Sequence, residues 1–356
     1  MEKFLIINPF GVGDVIFTTP VISALKENFP DSSIYYWCND RVHGIFKHDT
    51  NIAGVFPFSR GDIKKIMEDS FLEGIKKYWW LFNSIRKAKI DVAFDYSLDY
   101  RYSLISFFCG IKKRIGFDYR NRGRFLTDKI PLQGYSGRHM VEYYLELLRF
   151  IEANPGNKSL YLSVPQNNRE RAKHILKAFG VREGELVVGI TPGAGASWGK
   201  DAKLKHWPPL KYAELADRII RELGAKVLVL GDESEKDITD TMTSAMNSAV
   251  IDMTGKTTLL ELMAFIGSVN LLVTNDGGPL HIASALGVKT VSIFGPVDEK
   301  VYGPYPPSAL HKVIKHDIGC RPCYSNFRLP PCDKDKECLN SISADEVFTA
   351  VRQLLN

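Results

Sequence analysis

The chain has 356 residues, about twice what one domain usually takes, and its 45% apolar and 24% charged composition is that of a globular rather than a disordered protein. Its longest stretches without Lys, Arg, Asp or Glu, Leu186–Gly199 and Leu262–Asn275, are 14 residues each and broken by Gly, Pro or Asn, which excludes a spanning helix of roughly 18–20 residues. The net charge of +5 lies wholly in the first half: residues 1–165 hold 23 Lys/Arg against 18 Asp/Glu, whereas residues 166–356 hold 23 against 23.

The first apolar run, Phe4–Ile7, reads as a strand that stops at Asn8-Pro9, short of the roughly 7–15 apolar residues of a secretory core. With six cysteines and no export signal, this predicts a reducing, cytoplasmic location. The loop Asn8–Val15 follows. Its Gly11 and Gly13 let backbone approach a ligand, and Asp14 sits at the start of the next helix. A dinucleotide fingerprint would need glycine at position 16, where the chain has Ile16. Asp14 therefore reads either as a helix-capping carboxylate or as a functional one. Further strands are predicted at Ile34–Trp37, Gly54–Phe58, Ile90–Asp95 and Arg114–Phe117. Amphipathic helices are predicted at Val15–Asn28, Phe71–Lys87 and Met140–Ile151. Trp79 and Trp80 suit either a buried helix face or a membrane surface. Lys112–Lys129 carries Lys112, Lys113, Arg114, Arg120, Arg122, Arg124 and Lys129 against only Asp118 and Asp128, which attracts a polyanion or is simply solvated.

The turn-rich Asn154-Pro155-Gly156-Asn157 divides the chain into predicted domains 1–155 and 156–356, with the last helix free to pack back on the N-terminal domain. Beyond it, strands Val187–Thr191, Lys226–Leu230, Val250–Asp252, Leu271–Thr274 and Thr290–Phe294 alternate with helices near Pro208–Leu223, Glu235–Met246, Leu259–Ile266 and Pro279–Leu286. Alternation with continuous apolar strands implies parallel sheets covered on both faces, so the fold class is α/β with two doubly wound, Rossmann-like domains. In such sheets ligands sit beyond the carboxyl ends of strands, and the cleft between two such domains is the natural site.

Three loops of the second half lie at such strand ends. Thr191–Trp198, with Thr191, Gly193 and Ala194, either exposes amides to phosphate oxygens or is a plain glycine turn. Lys205-His206-Trp207-Pro208 places a cation before a helix that starts with proline, where it either neutralises a pyrophosphate or is an ordinary surface lysine. Asn275–His281 sets Asp276 and His281 around the amides of Gly277 and Gly278 at a helix start, which suits anion binding, against an Asp-Gly turn beside a packed histidine. Thr254-Gly255-Lys256-Thr257 ends like a phosphate-binding P-loop, but position 250 is Val250 rather than glycine, which rejects an ATPase. That segment and Glu235 remain loops able to touch a base or ribose. Near the end, Cys320, Cys323, Cys332 and Cys338 crowd a Pro-rich loop. Four thiolates suit structural zinc or iron, and free or redox-paired thiols fit the irregular second half of the spacing. Asp333 and Asp335 read as solvated charge.

Taken in order, these segments resemble glycosyltransferase family 9, the bacterial heptosyltransferases that extend the lipopolysaccharide inner core. The resemblance runs from the Gly11–Val15 loop through Arg114–Phe117 and Arg124–Thr127 to His139. It resumes at Thr191–Ala194, Lys205–Pro208, Thr254–Thr257, Asn275–His281 and Ile293–Pro296, and so covers nearly the whole chain. It implies the glycosyltransferase B architecture, with a lipid-linked anionic acceptor bound by the N-terminal half and a nucleotide-sugar, typically ADP-heptose, by the C-terminal half. It also implies inverting transfer with no cofactor or metal required. Asp14 matches the general base, Lys205 the lysine near the donor phosphates, and Glu235 a ribose contact. Asp276, Gly277, Gly278 and His281 match the loop on the diphosphate and sugar. Gly11, Gly13, Arg120, Arg122 and Arg124 would then face the acceptor's carboxylates and phosphates rather than nucleic acid, with peripheral contact at the inner membrane. A nucleotide-sugar epimerase of the same architecture and a non-catalytic nucleotide-sugar binding protein are the alternatives.

Overall fold

Strand β1 (Lys3–Asn8) is buried along all but its first residue and pairs in parallel with β2 (Ser33–Cys38) on one side and β4 (Val92–Asp95) on the other. Such two-sided burial is what a continuous apolar run demands. A computed structural model describes residues 2–58 and 66–356, with the side chains of 196–198 and 200, and hence Trp198 of the glycine loop, outside the description. Two units form, Met1–Ser159 and Leu160–Asn356.

In the first unit the sheet order is β3 (Ile52–Pro57), β2, β1, β4, β5 (Lys113–Tyr119) and β6 (Asp128–Leu132), all parallel. In the second it is β12 (His311–Ile314), β11 (Lys289–Ile293), β10 (Leu271–Asn275), β7 (Val187–Thr191), β8 (Lys226–Val229) and β9 (Ile251–Asp252), again all parallel. Each sheet therefore has the doubly wound 3-2-1-4-5-6 order, and its strand order reverses between its first and fourth strands. Those reversals put the loops after β1 and β4, and after β7 and β10, at the two ligand-binding positions of the fold.

The structure adds the edge strands β6 and β12, which are short and half-exposed and so lack the apolar signature. It also divides the helix expected over Val15–Asn28. A short helix ends at Ile16, Thr18 hydrogen-bonds back to the Val15 carbonyl at 2.6 Å, and a new helix starts at Thr19 with Pro20 in its first turn.

The last helix packs on its own unit. In Ala344–Leu355 the buried Val347, Phe348, Val351 and Leu354 join the C-terminal core with Trp207, Tyr212, Leu215 and Ile219. Ser343 and Glu346 cap its start reciprocally, and the Arg218 guanidinium lies 4.2 Å over the Phe348 ring. No helix among the described residues is long and apolar enough to cross a membrane. Phe348→Ala is expected to destabilise the chain by about 3–5 kcal/mol in urea unfolding, because it empties a core position; a loss below about 1 kcal/mol would refute this packing role.

Candidate active site

Asp14 lies in the helix Val12–Ile16 directly beyond β1. The loop before it is shaped by buried Asn8, whose amide donates to the Asp14 carbonyl at 2.9 Å and whose oxygen accepts from the Phe10 N–H at 3.2 Å. The Asp14 carboxylate accepts from the Gly11 N–H at 3.3 Å, long for such a bond, and is half-exposed. Gly11 and Gly13 lie in the same turn.

The basic segment is thinned by the fold. Arg114 donates to the carbonyls of Ile111 and Phe125, Lys113 to Phe150, and Lys129 pairs with Asp118 at 2.7 Å. Arg120, Arg122 and Arg124 stay exposed, and among the described residues none of the three pairs with a carboxylate. They stack on rings instead: Arg120 and Arg122 over Tyr119 at 4.9 and 5.8 Å, and Arg124 over Tyr100 at 4.1 Å. Stacking orders a guanidinium without neutralising it, which keeps it available for an anion. His139 caps the helix Met140–Glu146 and packs edge-on against Phe17 at 4.9 Å.

Sequence reasoning missed Asp95, the last residue of β4, which pairs with Ile7 at the strand reversal. It is buried and accepts from the Ser97 N–H at 2.9 Å, yet desolvation raises its carboxyl to about 7. An aspartate closing an apolar strand at that position was the available signal.

In the C-terminal unit one side chain gathers three loops. Asn275, fully buried at the end of β10, donates to the carbonyls of Pro192 at 2.7 Å and Gly193 at 3.0 Å and accepts from the Trp207 N–H at 3.1 Å. Thr191 and Thr274 hydroxyls bond at 2.5 Å between β7 and β10. A Cβ at Gly277 would stand 2.9 Å from the Ala194 carbonyl oxygen, so only glycine permits that approach. The helix Gly278–Ala285 begins there with Pro279 in its first turn and no side-chain cap, which leaves its first amides open to an anion. His281 is buried in that helix.

Two of the residues expected to meet the donor have partners within the protein. Lys205 is not a free surface cation: its Nζ lies 2.6 Å from Asp276 Oδ2, with the two side chains only 3% and 7% exposed. Glu235 turns inward, accepting from the N–H groups of Gly195 at 2.8 Å, Asp232 at 3.1 Å and Ala194. It thus occupies the amides expected to meet phosphate, and burial raises its pKa. Gly231 borders the same carboxylate, and the Thr254 methyl lies beside Gly231. Gly255, at φ +70°, donates to the Gly231 carbonyl at 3.0 Å and holds the turn. Beside Lys205, burial and then Lys336, Lys205 and Lys203 depress His206 to about 4, which keeps its ring neutral.

Cys320, Cys323, Cys332 and Cys338 do line one cavity of about 30 Å³, together with Leu204 and Lys336. Among the described residues, however, no three His, Cys, Asp or Glu side chains converge closely enough to hold a metal ion. Cys332 Sγ accepts from the Lys336 N–H at 3.3 Å.

A family model described as glycosyltransferase family 9 (heptosyltransferase) matches residues 78–329. Lipopolysaccharide heptosyltransferase 2 of Escherichia coli K12 is 25% identical over 88% of this chain and 91% of its own. The glycosyltransferase family 9 crystal structure from Veillonella parvula superposes with a TM-score of 0.83 at 23% identity, covering 99% and 97% of the two chains. The structure of E. coli ADP-heptose lps heptosyltransferase II superposes at 0.78 with 22% identity over 99% and 98%. These structural likenesses establish the fold.

Lys205→Met leaves the Asp276 carboxylate buried without its cation and is expected to cost about 3–5 kcal/mol in urea unfolding. Replacing both partners, with Lys205→Met and Asp276→Leu, is expected to recover most of that loss; equal destabilisation by the single and double variants would refute the pairing. For Asp95, a folded pKa raised above the unfolded value means that the folded state keeps a proton the unfolded chain releases. Its stabilising contribution is then full below about pH 4 and lost as pH rises through about 7. Asp95→Asn is expected to flatten the fall in urea midpoint across that window, and an unchanged slope would assign the titration elsewhere.

Proposed function

The chain belongs to glycosyltransferase family 9 and is a glycosyltransferase, and from that membership we propose that it transfers a heptosyl group from ADP-heptose to a lipopolysaccharide inner core, with inversion and without a metal ion. The observation that carries this reading is the convergence on Asn275 of three segments far apart in sequence, Thr191–Ala194, Lys205–Pro208 and Asn275–His281, at the β7–β10 reversal. That is where a doubly wound unit holds a nucleotide.

In this reaction the acceptor oxygen bonds to the anomeric carbon as the bond to the diphosphate breaks, and the bonding pair leaves with the ADP. Asp14 takes the acceptor's proton, help typically worth about 10²–10⁴-fold. The leaving diphosphate gains charge, so the amides at Gly277 and Gly278 and the Lys205 ammonium stabilise the transition state more than the ground state. Asp276 holds that ammonium in place, and His281 lies on the sugar side. Glu235 contacts the ribose, so its carboxylate leaves the Ala194 and Gly195 amides as donor binds and frees them for phosphate oxygens. Thr254 and Gly255 border the nucleoside. Arg120, Arg122 and Arg124 meet acceptor phosphates and carboxylates. The proposed setting is the cytoplasm, at the face of the membrane that carries the acceptor.

The test is a thermal-shift panel of ADP-, UDP-, GDP- and dTDP-sugars, followed by turnover with a delipidated core acceptor in the presence of EDTA. ADP-heptose at a hundredfold excess over its Kd is expected to add about 2.7 kcal/mol of apparent stability. Asp14→Asn is expected to lower kcat by about 10²–10⁴-fold with the ADP-heptose shift unchanged. Stabilisation only by a uridine or guanosine donor would remove the heptose assignment, undiminished turnover by Asp14→Asn would remove the base, and loss of turnover in EDTA would remove metal independence.

A further inference from the structure

The helix Phe71–Ala88 buries Gly74, Leu81 and Ile85 against its own unit, as an amphipathic helix should. It also carries a second apolar stripe. At 100° per residue, Phe71, Leu72, Ile75 and Trp79 fall within one sector of about 100°, and their exposures are 62%, 70%, 44% and 69%. Trp80, 48% exposed, lies farther round. The adjoining helix Tyr100–Phe108 extends the surface: the Cys109 thiol donates to the Phe82 carbonyl at 3.6 Å, and the preceding Phe107 and Phe108 are exposed. A cluster of this size is uncommon on a water-facing surface.

Its rim is cationic. By the same rotation Arg86 falls within the apolar sector and Lys76 and Lys87 beside its edge, whereas Lys77 lies on the opposite side of the helix; all are exposed, the one acidic residue of the helix is Glu73, and it pairs with Lys76 at 2.6 Å. Exposed Lys112 follows Phe107 and Phe108. Tryptophan and phenylalanine on one sector with lysine and arginine at its edge is the chemistry of an interfacial helix. The rings enter the headgroup–acyl boundary, and the cations remain at the anionic surface. A second copy of the chain would oppose this basic rim with an identical basic rim.

We propose that the exposed sector of Phe71–Ala88, with Phe107 and Phe108, is a docking surface for an anionic lipid bilayer. The inference rests on the acceptor being lipid-linked and supplies the surface by which this unit reaches it. Docking confines the enzyme to the plane holding its acceptor, so it acts on encounter and not on the displacement itself.

The test is cosedimentation of the full chain with phosphatidylcholine vesicles and with vesicles containing 30% phosphatidylglycerol. Binding is expected to the anionic vesicles, weakened in high salt and lower by about fivefold for each basic residue withdrawn from the surface, as in Arg86→Gln. Ile75→Ser with Trp79→Ser is expected to abolish sedimentation, while kcat and KM on a delipidated acceptor stay unchanged and KM on a vesicle-embedded acceptor rises. Both positions are exposed, so the variant keeps its fold, which circular dichroism checks. Equal sedimentation with both lipids, no sedimentation, or a dimer in light scattering that the double variant disperses would overturn the proposal. Absence of turnover by the unaltered enzyme on either acceptor would instead overturn the transferase reading, which the vesicle measurement leaves separate.

Discussion

The C-terminal site depends on satisfying the backbone of loops that are drawn beneath the surface. Asn275 has no solvent access, and its amide meets two carbonyls and one N–H from two other loops. Each of those groups would cost about 1–3 kcal/mol if left buried and unpaired. The amide side chain supplies the two donors and one acceptor used at that spot, whereas a carboxylate would set negative oxygens against the Pro192 and Gly193 carbonyls. The loop cluster is therefore organised by hydrogen-bond satisfaction within the protein itself.

Charge within it is arranged by the same rule. Lys205 and Asp276 are held out of water as a pair, and Glu235 lies on the amides of the first glycine loop. Fixed dipoles and paired ions need little reorganisation when charge develops nearby, the general basis of electrostatic preorganisation. In the proposed reaction the Glu235 carboxylate serves as a placeholder anion that the donor displaces.

The N-terminal unit uses different physics. Its arginines are ordered by stacking on Tyr119 and Tyr100, which leaves their charge unspent. Its long helix shows apolar rings to solvent beside lysines. The excess positive charge of the first half is thus spread over two surfaces, one of stacked guanidinium groups and one of lysines beside aromatic rings. Arg114, Lys113 and Lys129, prominent in sequence, support the backbone or pair locally instead.

The sequence alone determined the two parallel sheets and the loops that matter. Strands buried on both faces must be continuously apolar, and β1, β7 and β10 announce themselves in that way. Glycine beyond a strand end likewise marks where backbone must come close. The edge strands β6 and β12 carried no such mark, because a half-exposed edge imposes little on composition. Only the tertiary structure decided that Lys205 is paired, that Glu235 faces inward, that Asp95 holds its proton to near neutrality, that the four cysteines line one cavity, and that Trp79 is exposed. Each of these is set by a neighbour or a degree of burial that chain distance hides. Periodicity identifies which residues share a helix face, whereas the partner that face meets is supplied by packing.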